Sequence, residues 1–233
     1  MWYRYETHMH SNQGSRCGRS SAADMVRAYH DAGYAGAVLT DHFIWGNTAV
    51  PKELPWEERM QRYYDAYLSA KPVAEELDFD LMFGIEHFYG NWKEMLVYGM
   101  PVEFWKENSD LPDISVEELG ERIHAAGGFI SHAHPYRMRP EYMTAFYEPV
   151  ITMCDAIEVY NFSDPDESNQ KAAELARRTG LIPTSGADSH FTAFPGIGQA
   201  GMAFDHRLHN SAELIAALRA GEGKLIIRGE IQE

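Results

Sequence analysis

Tyr5-Glu6-Thr7-His8-Met9-His10 and, further on, Ala37-Val38-Leu39-Thr40-Asp41-His42 share one pattern: a short strand-like run that ends on metal-ligating side chains. Trp2 to Thr7 alternates aromatic and polar residues, the period of a half-buried strand. Ala37-Val38-Leu39 is short and apolar enough for a fully buried one. The pattern returns at Phe79 to Ile85 before Glu86-His87, and at Phe129-Ile130 before His132-Ala133-His134-Pro135. It returns again at Leu181-Ile182, which leads through Thr184 and Gly186 to Asp188-Ser189-His190. Met95 to Tyr98, Ala156 to Tyr160 and Leu225 to Ile227 read as further strands.

Helices fill the intervals. Ser21 with Asp24, and Ser115 with Glu118, have the spacing of capping boxes, in which a hydroxyl and a carboxylate satisfy the free N–H groups of a first turn. The first opens an apolar stripe through Met25, Val26 and Ala28 that runs to Gly33, and the second a helix that stops at Gly127-Gly128. Trp56 to Leu77 is helical, with a break expected at Pro72 because proline lacks the N–H. Glu167 to Thr179 ends at Gly180, and Ser211 to Arg219 is the last helix. Alternating β and α with short connections predicts a parallel sheet. The polar residues follow the first, second, third, fifth and seventh strands. In a closed parallel barrel those strand ends share one rim around one cavity. An open doubly wound sheet would gather only the ends beside its switch point. The expected fold is therefore α/β, a barrel of about seven strands, with the doubly wound sheet as the alternative.

Composition narrows the function. The 233 residues suit one domain, taken as residues 1–233. Twenty Lys and Arg against 35 Asp and Glu give a net charge of −15, which argues against a long nucleic-acid footprint because such binders need a basic face. No apolar run approaches the ~20 residues of a membrane span, and Met1 to Glu6 has no apolar signal core, so a cytoplasmic enzyme is expected. Cys17 and Cys154 suggest no disulfide framework. Nothing in the sequence sets the oligomeric state.

Of the eleven histidines, His30 and His124 fall in helices, and His206 and His209 in a late polar stretch. His8, His10, His42, His87, His132, His134 and His190 sit at or just past strand ends. On an extended segment residues i and i+2 point to one side, so His8 and His10 can face a single ion, and Asp188 and His190 repeat that geometry. Imidazole and carboxylate without thiolate suit catalytic Zn, Mn or Fe. More ligands than one ion can use imply two or three divalent ions, with a carboxylate such as Glu86 between them.

Taken in order, His8-x-His10, Thr40-Asp41-His42, Gly84-Ile85-Glu86, Ala133-His134-Pro135, Ile157-Glu158-Val159-Tyr160-Asn161 and Gly186-Ala187-Asp188-Ser189-His190 resemble the PHP (polymerase and histidinol phosphatase) superfamily. That resemblance implies a distorted (β/α)7 TIM-like barrel, a cluster of two or three metals and phosphoesterase activity. It implies that His8, His10, Glu86 and Asp188 hold a first ion, and that Glu86 bridges to a second held also by His134 and Glu94. His132 is then a neighbour of the cluster. His42 and His190 correspond to third-ion ligands. The remaining third-ion ligand falls at Ser15 or Arg16, neither a good donor, so Arg16 is expected to stand in for a cation and hold substrate phosphate, with Cys17 as the less favoured thiolate alternative. Arg137, just past His134, suits a phosphoryl group. Glu158 is placed to orient a ligand histidine, and Asn161 shares its strand end. Trp45, Tyr89, Trp92, Tyr98 and Trp105 are expected above the rim, as a substrate wall or as packing.

The expected activity is hydrolysis of a small-molecule phosphate ester, whether histidinol phosphate, nucleotide or sugar phosphate, by a water that the ions bring to ionise near neutral pH. Asp188, His190 and His42 are the expected catalytic residues, with either imidazole protonating the leaving group. The alternatives are a diesterase or exonuclease acting on short oligonucleotides, an amidohydrolase-like C–N or C–O hydrolase, and a non-catalytic metal-binding domain.

Overall fold

The structure is a computed structural model that describes residues 1–232, so Glu233, the last residue of the expected domain, lies outside the described residues. Its strands are β1 (Tyr3–Met9), β2 (Gly36–Leu39), β3 (Asp80–Gly90), β4 (Lys93–Tyr98), β5 (Phe129–Ala133), β6 (Ala156–Asn161), β7 (Ile182–Gly186), β8 (Ala200–Phe204), β9 (Lys224–Ile227) and β10 (Glu230–Ile231). Its helices are α1 (Ala22–Asp31), α2 (Trp56–Glu76), α3 (Val102–Glu107), α4 (Val116–Ala125), α5 (Asp166–Thr179) and α6 (Ser211–Arg219). Ser21 and Ser115 accept the N–H groups of Asp24 and Glu118, as their spacing requires. Asn210 caps α6 in the same way. α5 stops where Gly180 takes the left-handed conformation (φ 73°). α2 does not break at Pro72. The proline removes one bond, to the carbonyl of Leu68, and Leu68 is on the exposed face where water can replace it.

The sheet departs from the expected parallel barrel. Its strand order is β10-β9-β8-β1-β2-β3-β4-β5-β6-β7. β1, β2 and β3 run parallel, as do β5, β6 and β7, but β4 is antiparallel to both β3 and β5. The physical reason is local: only Asn91 and Trp92 separate Gly90 from its partner Lys93, and two residues can make a hairpin but not a crossover. β8, which the sequence reading did not anticipate, adds antiparallel to β1 and carries β9 and β10 beyond it. The mixed sheet curls until the chain after β7 returns to β1, where Ser189 accepts the His10 N–H at 2.9 Å. The result is a curled half-barrel.

Reversal of β4 has a consequence for the rim. An antiparallel strand starts where its parallel neighbours end, so Glu94, paired with Phe88 and Ala133, sits at the same rim as the C-terminal ends of β3 and β5. Strand alternation then sends Leu96 and Tyr98 from the Glu94 face into a core with Tyr5, Val38, Phe129 and Phe204. Met95 and Val97 pack on the other face with Phe43, Trp105 and Ile123. Tyr98 and Trp105 are therefore core residues and not part of a rim wall.

Candidate metal centre

β1 delivers His8 and His10 to the rim, both fully buried. Each ring is oriented by a partner at Nδ1. His8 Nδ1 lies 2.9 Å from Glu158 Oε1. A carboxylate oxygen only accepts, so Nδ1 carries the proton and Nε2 the lone pair. His10 Nδ1 lies 3.0 Å from Ser15 Oγ, whose single proton goes to Asp41 Oδ1 at 2.7 Å. His10 must therefore donate as well, which leaves its Nε2 open. Glu158 Oε2 also accepts the His134 N–H and the Asn161 amide, both at 2.9 Å, so one β6 carboxylate aligns two histidines. Gly186 makes that packing possible: a Cβ there would lie 2.6 Å from both Glu158 Oε1 and His8 Cβ.

The ring nitrogens converge on three carboxylates, Glu86, Asp188 and Glu94. His8 Nε2 is 3.1 Å from Glu86 Oε1 and 3.5 Å from Asp188 Oδ1. His10 Nε2 is 3.2 Å from Asp188 Oδ1 and 3.5 Å from Glu86 Oε2. His134 Nε2 approaches Glu86 Oε1 at 2.9 Å and Glu94 Oε2 at 3.5 Å, while His42 Nδ1 approaches Glu86 Oε2 at 2.7 Å and Glu94 Oε1 at 3.4 Å. His190 donates Nδ1–H to the Asp188 carbonyl and stacks on His10 with ring centroids 4.4 Å apart. Glu86 thus stands among four imidazoles. His134 and Asp188 both hold positive φ (28° and 55°), a conformation that non-glycine residues rarely adopt and that clusters at functional sites.

The electrostatics call for cations. Burial works against ionising Glu86, yet the charges of His42 and His8 hold its carboxyl well below the usual range. Asp188 is held low in the same way, against its burial, by Arg137 and His8. Burial also opposes charge on His8, but Glu158, Asp188 and Glu86 raise it well above the ordinary imidazole value. Without a metal, a proton fills the role at His8. His8 Nε2, His10 Nε2, His42 Nδ1 and Glu86 Oε2 are buried and make no well-aligned hydrogen bond, although His42 Nδ1 and Glu86 Oε2 lie only 2.7 Å apart. Such orphaned atoms cost about 1–3 kcal/mol each unless something else satisfies them, and divalent ions fit. Four overlapping groups have ligand atoms within 4.8 Å of one another: His8-His10-Asp188, His8-Glu86-His134, His42-Glu86-Glu94 and His10-His42-His190.

All eight of the expected ligands are brought together. Arg16 is not: it is exposed, and its backbone N–H bonds the Asn47 carbonyl. The loop instead turns Ser15 inward, onto His10 and Asp41, and places Cys17 on the cleft wall. Burial pushes the Cys17 thiol up, but hydrogen bonding to His190 and His42 brings it down to about 7. His132 points away, bonded to Tyr89 Oη at 2.6 Å, and His87 packs beside Phe43. Glu6 was not singled out in the sequence. Buried beneath the cluster, it accepts the N–H groups of Thr7, His8 and Ala187 and so ties β1 to the Asp188 loop. Its position two residues before His8 is its one sequence signal.

Above the His/Glu/Asp cluster lies a cleft of about 590 Å³ lined by His42, Glu94, Asp188, His190, Arg137, Arg139 and a set of aromatics. Arg137 donates Nε to Asp164 (2.7 Å) and Nη2 to Asn161 (3.1 Å), and Nη2 pairs with Asp188 Oδ2 at 2.6 Å. It therefore aims Asp188 as well as facing the cleft. Arg139, absent from the sequence reading, bonds the Ser163 carbonyl at 2.9 Å beside it.

A PHP-associated family profile matches residues 166–222. The whole chain is similar in structure to a two-domain protein from Bacteroides vulgatus ATCC 8482 that contains a predicted PHP-like metal-dependent phosphoesterase (TM-score 0.71, 13% identity, 99% of this chain and 66% of that one). The fold is the one found in that PHP-like protein. A second similar structure is a putative metal-dependent phosphoesterase from Bifidobacterium adolescentis ATCC 15703 (TM-score 0.60, 14% identity, 94% of this chain and 96% of that one). A third is endonuclease Q, in complex with a 27-mer duplex carrying an abasic lesion at its active site (TM-score 0.62, 11% identity, 94% of this chain and 57% of that one). A protein of similar fold therefore takes a 27-mer duplex as substrate, which weakens the charge-based expectation against nucleic acid. No curated protein matches the sequence. Among the described residues no helix is long and apolar enough to cross a membrane.

Proposed function

We propose that the chain is a single-domain metal-dependent hydrolase of phosphate esters, with a small phosphomonoester as substrate. One observation carries this reading: buried ring nitrogens of His8, His10 and His42 and an oxygen of Glu86, none in a well-aligned hydrogen bond, converge at the floor of an arginine-lined cleft. His8, His10, Glu86 and Asp188 would hold a first divalent ion, Glu86, Glu94 and His134 a second, and His42 with His190 a third. Zn, Mn or Fe suits these nitrogen and oxygen donors. When bound, such ions supply Lewis acidity, making water a nucleophile near neutral pH and neutralising phosphoryl charge.

The protein's own groups do the rest. Glu158 and Ser15 hold His8 and His10 in the tautomer that leaves Nε2 open. Arg137 retains Nη1 for a phosphoryl oxygen after its other nitrogens are engaged, and Arg139 adds a second cation on the same wall. His190, fixed by the Asp188 carbonyl, or His42 is placed to give a proton to the leaving alkoxide when no ion occupies it. The net charge of −15 favours a small substrate over a polymer.

The test is metal analysis of the purified protein followed by turnover of a phosphomonoester, a phosphodiester and an amide, each with and without chelator. Chelator-sensitive phosphate release from the monoester supports the reading. Faster chelator-sensitive cleavage of the diester or the amide replaces it with a nuclease or an amidohydrolase.

A further inference from the structure

Trp45 and Trp92 both line the cleft above the His/Glu/Asp cluster, and both are exposed, at 62% and 42%. Both also hold left-handed backbone, with φ of 67° and 59°. Large side chains avoid that region. At Trp92 the departure from turn chemistry is sharp. Asn91 and Trp92 form the two-residue connection between β3 and β4 with φ of 53° and 59°, a turn whose second position ordinarily takes glycine. An indole there neither eases the turn nor buries its surface in the core. It stands edge-on to Phe88, with centroids 6.4 Å apart, and tilted against Tyr142 at 5.1 Å. Tyr142 is itself 53% exposed on the same cleft. Trp45 makes no aromatic pair among the described residues.

We infer that Trp92, Tyr142 and Trp45 bind a planar heteroaromatic ring, and that the substrate is a nucleoside monophosphate or a phosphate ester of the same shape. This rests on the phosphoesterase reading. The cleft has the components: carboxylates and imidazoles for the phosphate, Arg137 and Arg139 on the wall, and the exposed aromatic rings of Trp45, Trp92 and Tyr142. About 590 Å³ is room for one such molecule. Stacking tolerates any base, because every base offers a π-face, and removing one aromatic platform typically weakens binding by about 10-fold to 100-fold.

The test uses the metal-reconstituted protein and two pairs of probes. Adenosine 5′-monophosphate and ribose 5-phosphate share the reacting ester but differ in the ring. The wild type should prefer the nucleotide in kcat/KM, through KM, and W92G should reduce that ratio by about 10-fold. Glycine suits the turn, so W92G should melt no lower than wild type. A ratio near one in the wild type, or one unchanged in both W92G and W45A, overturns the inference. Adenosine and ribose give a reading independent of turnover: adenosine should quench tryptophan fluorescence saturably, ribose should not, and W92G should weaken the adenosine response by about 10-fold. Adenosine binding without hydrolysis of either ester keeps the ring site and removes the phosphoesterase reading. Hydrolysis without ring preference does the reverse. Tighter binding of a single-stranded oligonucleotide than of the mononucleotide overturns the assignment to a small molecule.

Discussion

Glu158→Gln isolates the orientation of His8 from the rest of the metal centre. The carboxylate sits under three donors at 2.9 Å: His8 Nδ1, the His134 N–H and the Asn161 amide. It accepts from all three. The isosteric amide has one carbonyl oxygen and one NH2 and cannot. If the oxygen faces His134 and Asn161, the NH2 faces His8 Nδ1. His8 then has to move its proton to Nε2, and the atom aimed at the metal site is capped. If the oxygen faces His8, the NH2 opposes two buried donors, at about 1–3 kcal/mol for each left unsatisfied. Either way a ligand histidine is disturbed. Loss of such an outer-shell partner ordinarily costs 10–100-fold in metal affinity, about 1.4–2.7 kcal/mol. Competition for Zn²⁺ against a chromophoric chelator reads that change directly, with circular dichroism of the metal-free variant as the control on folding. A variant that folds normally and binds Zn²⁺ within about 3-fold of wild type, well short of the expected loss, would refute the claim that Glu158 sets the His8 tautomer.

Other outcomes follow from the same geometry. Gly186→Ala drives a Cβ to 2.6 Å from Glu158 Oε1 and His8 Cβ, so overpacking of about 1–3 kcal/mol is expected, read as a lower midpoint in urea together with weaker metal binding; an unchanged midpoint would mean that the β6–β1 contact is looser than described. Stripping the ions should lower Tm, because an ion at about 100 times its Kd adds about 2.7 kcal/mol and each kcal/mol moves a chain of this length by about 2–4 °C; a Tm indifferent to chelator counts against a resident metal. Arg137→Ala should reduce kcat/KM about 10-fold or more, since it removes a charged hydrogen-bond donor from the cleft and frees Asp188 to turn. A loss under about 3-fold leaves Arg137 as structural support only.

The histidines and acids at strand ends were legible because ligand chemistry leaves few choices of side chain and strand geometry places i and i+2 on one side. Capping residues set the starts of α1 and α4 locally, without help from the rest of the fold. The aromatic mouth was harder to read, since nothing in the spacing separates Trp45 and Trp92, which stay exposed, from Tyr98 and Trp105, which are core. Arg16 could not be told from Cys17 either, because one residue of loop rotation decides which side chain meets the cleft.

From its sequence alone, this protein has a β/α chain with seven histidines and several carboxylates at strand ends. Tertiary structure decided the rest. A two-residue turn reverses β4 and lifts Glu94 to the rim, β8 adds to β1 from the far end of the chain, and the sheet curls far enough for Ser189 to meet His10. The turn is local, but the other two outcomes depend on pairings between residues remote in sequence, whose energies no local pattern encodes. Ligand identity is a property of side chains, but their convergence to within a few ångströms is a property of the curled sheet.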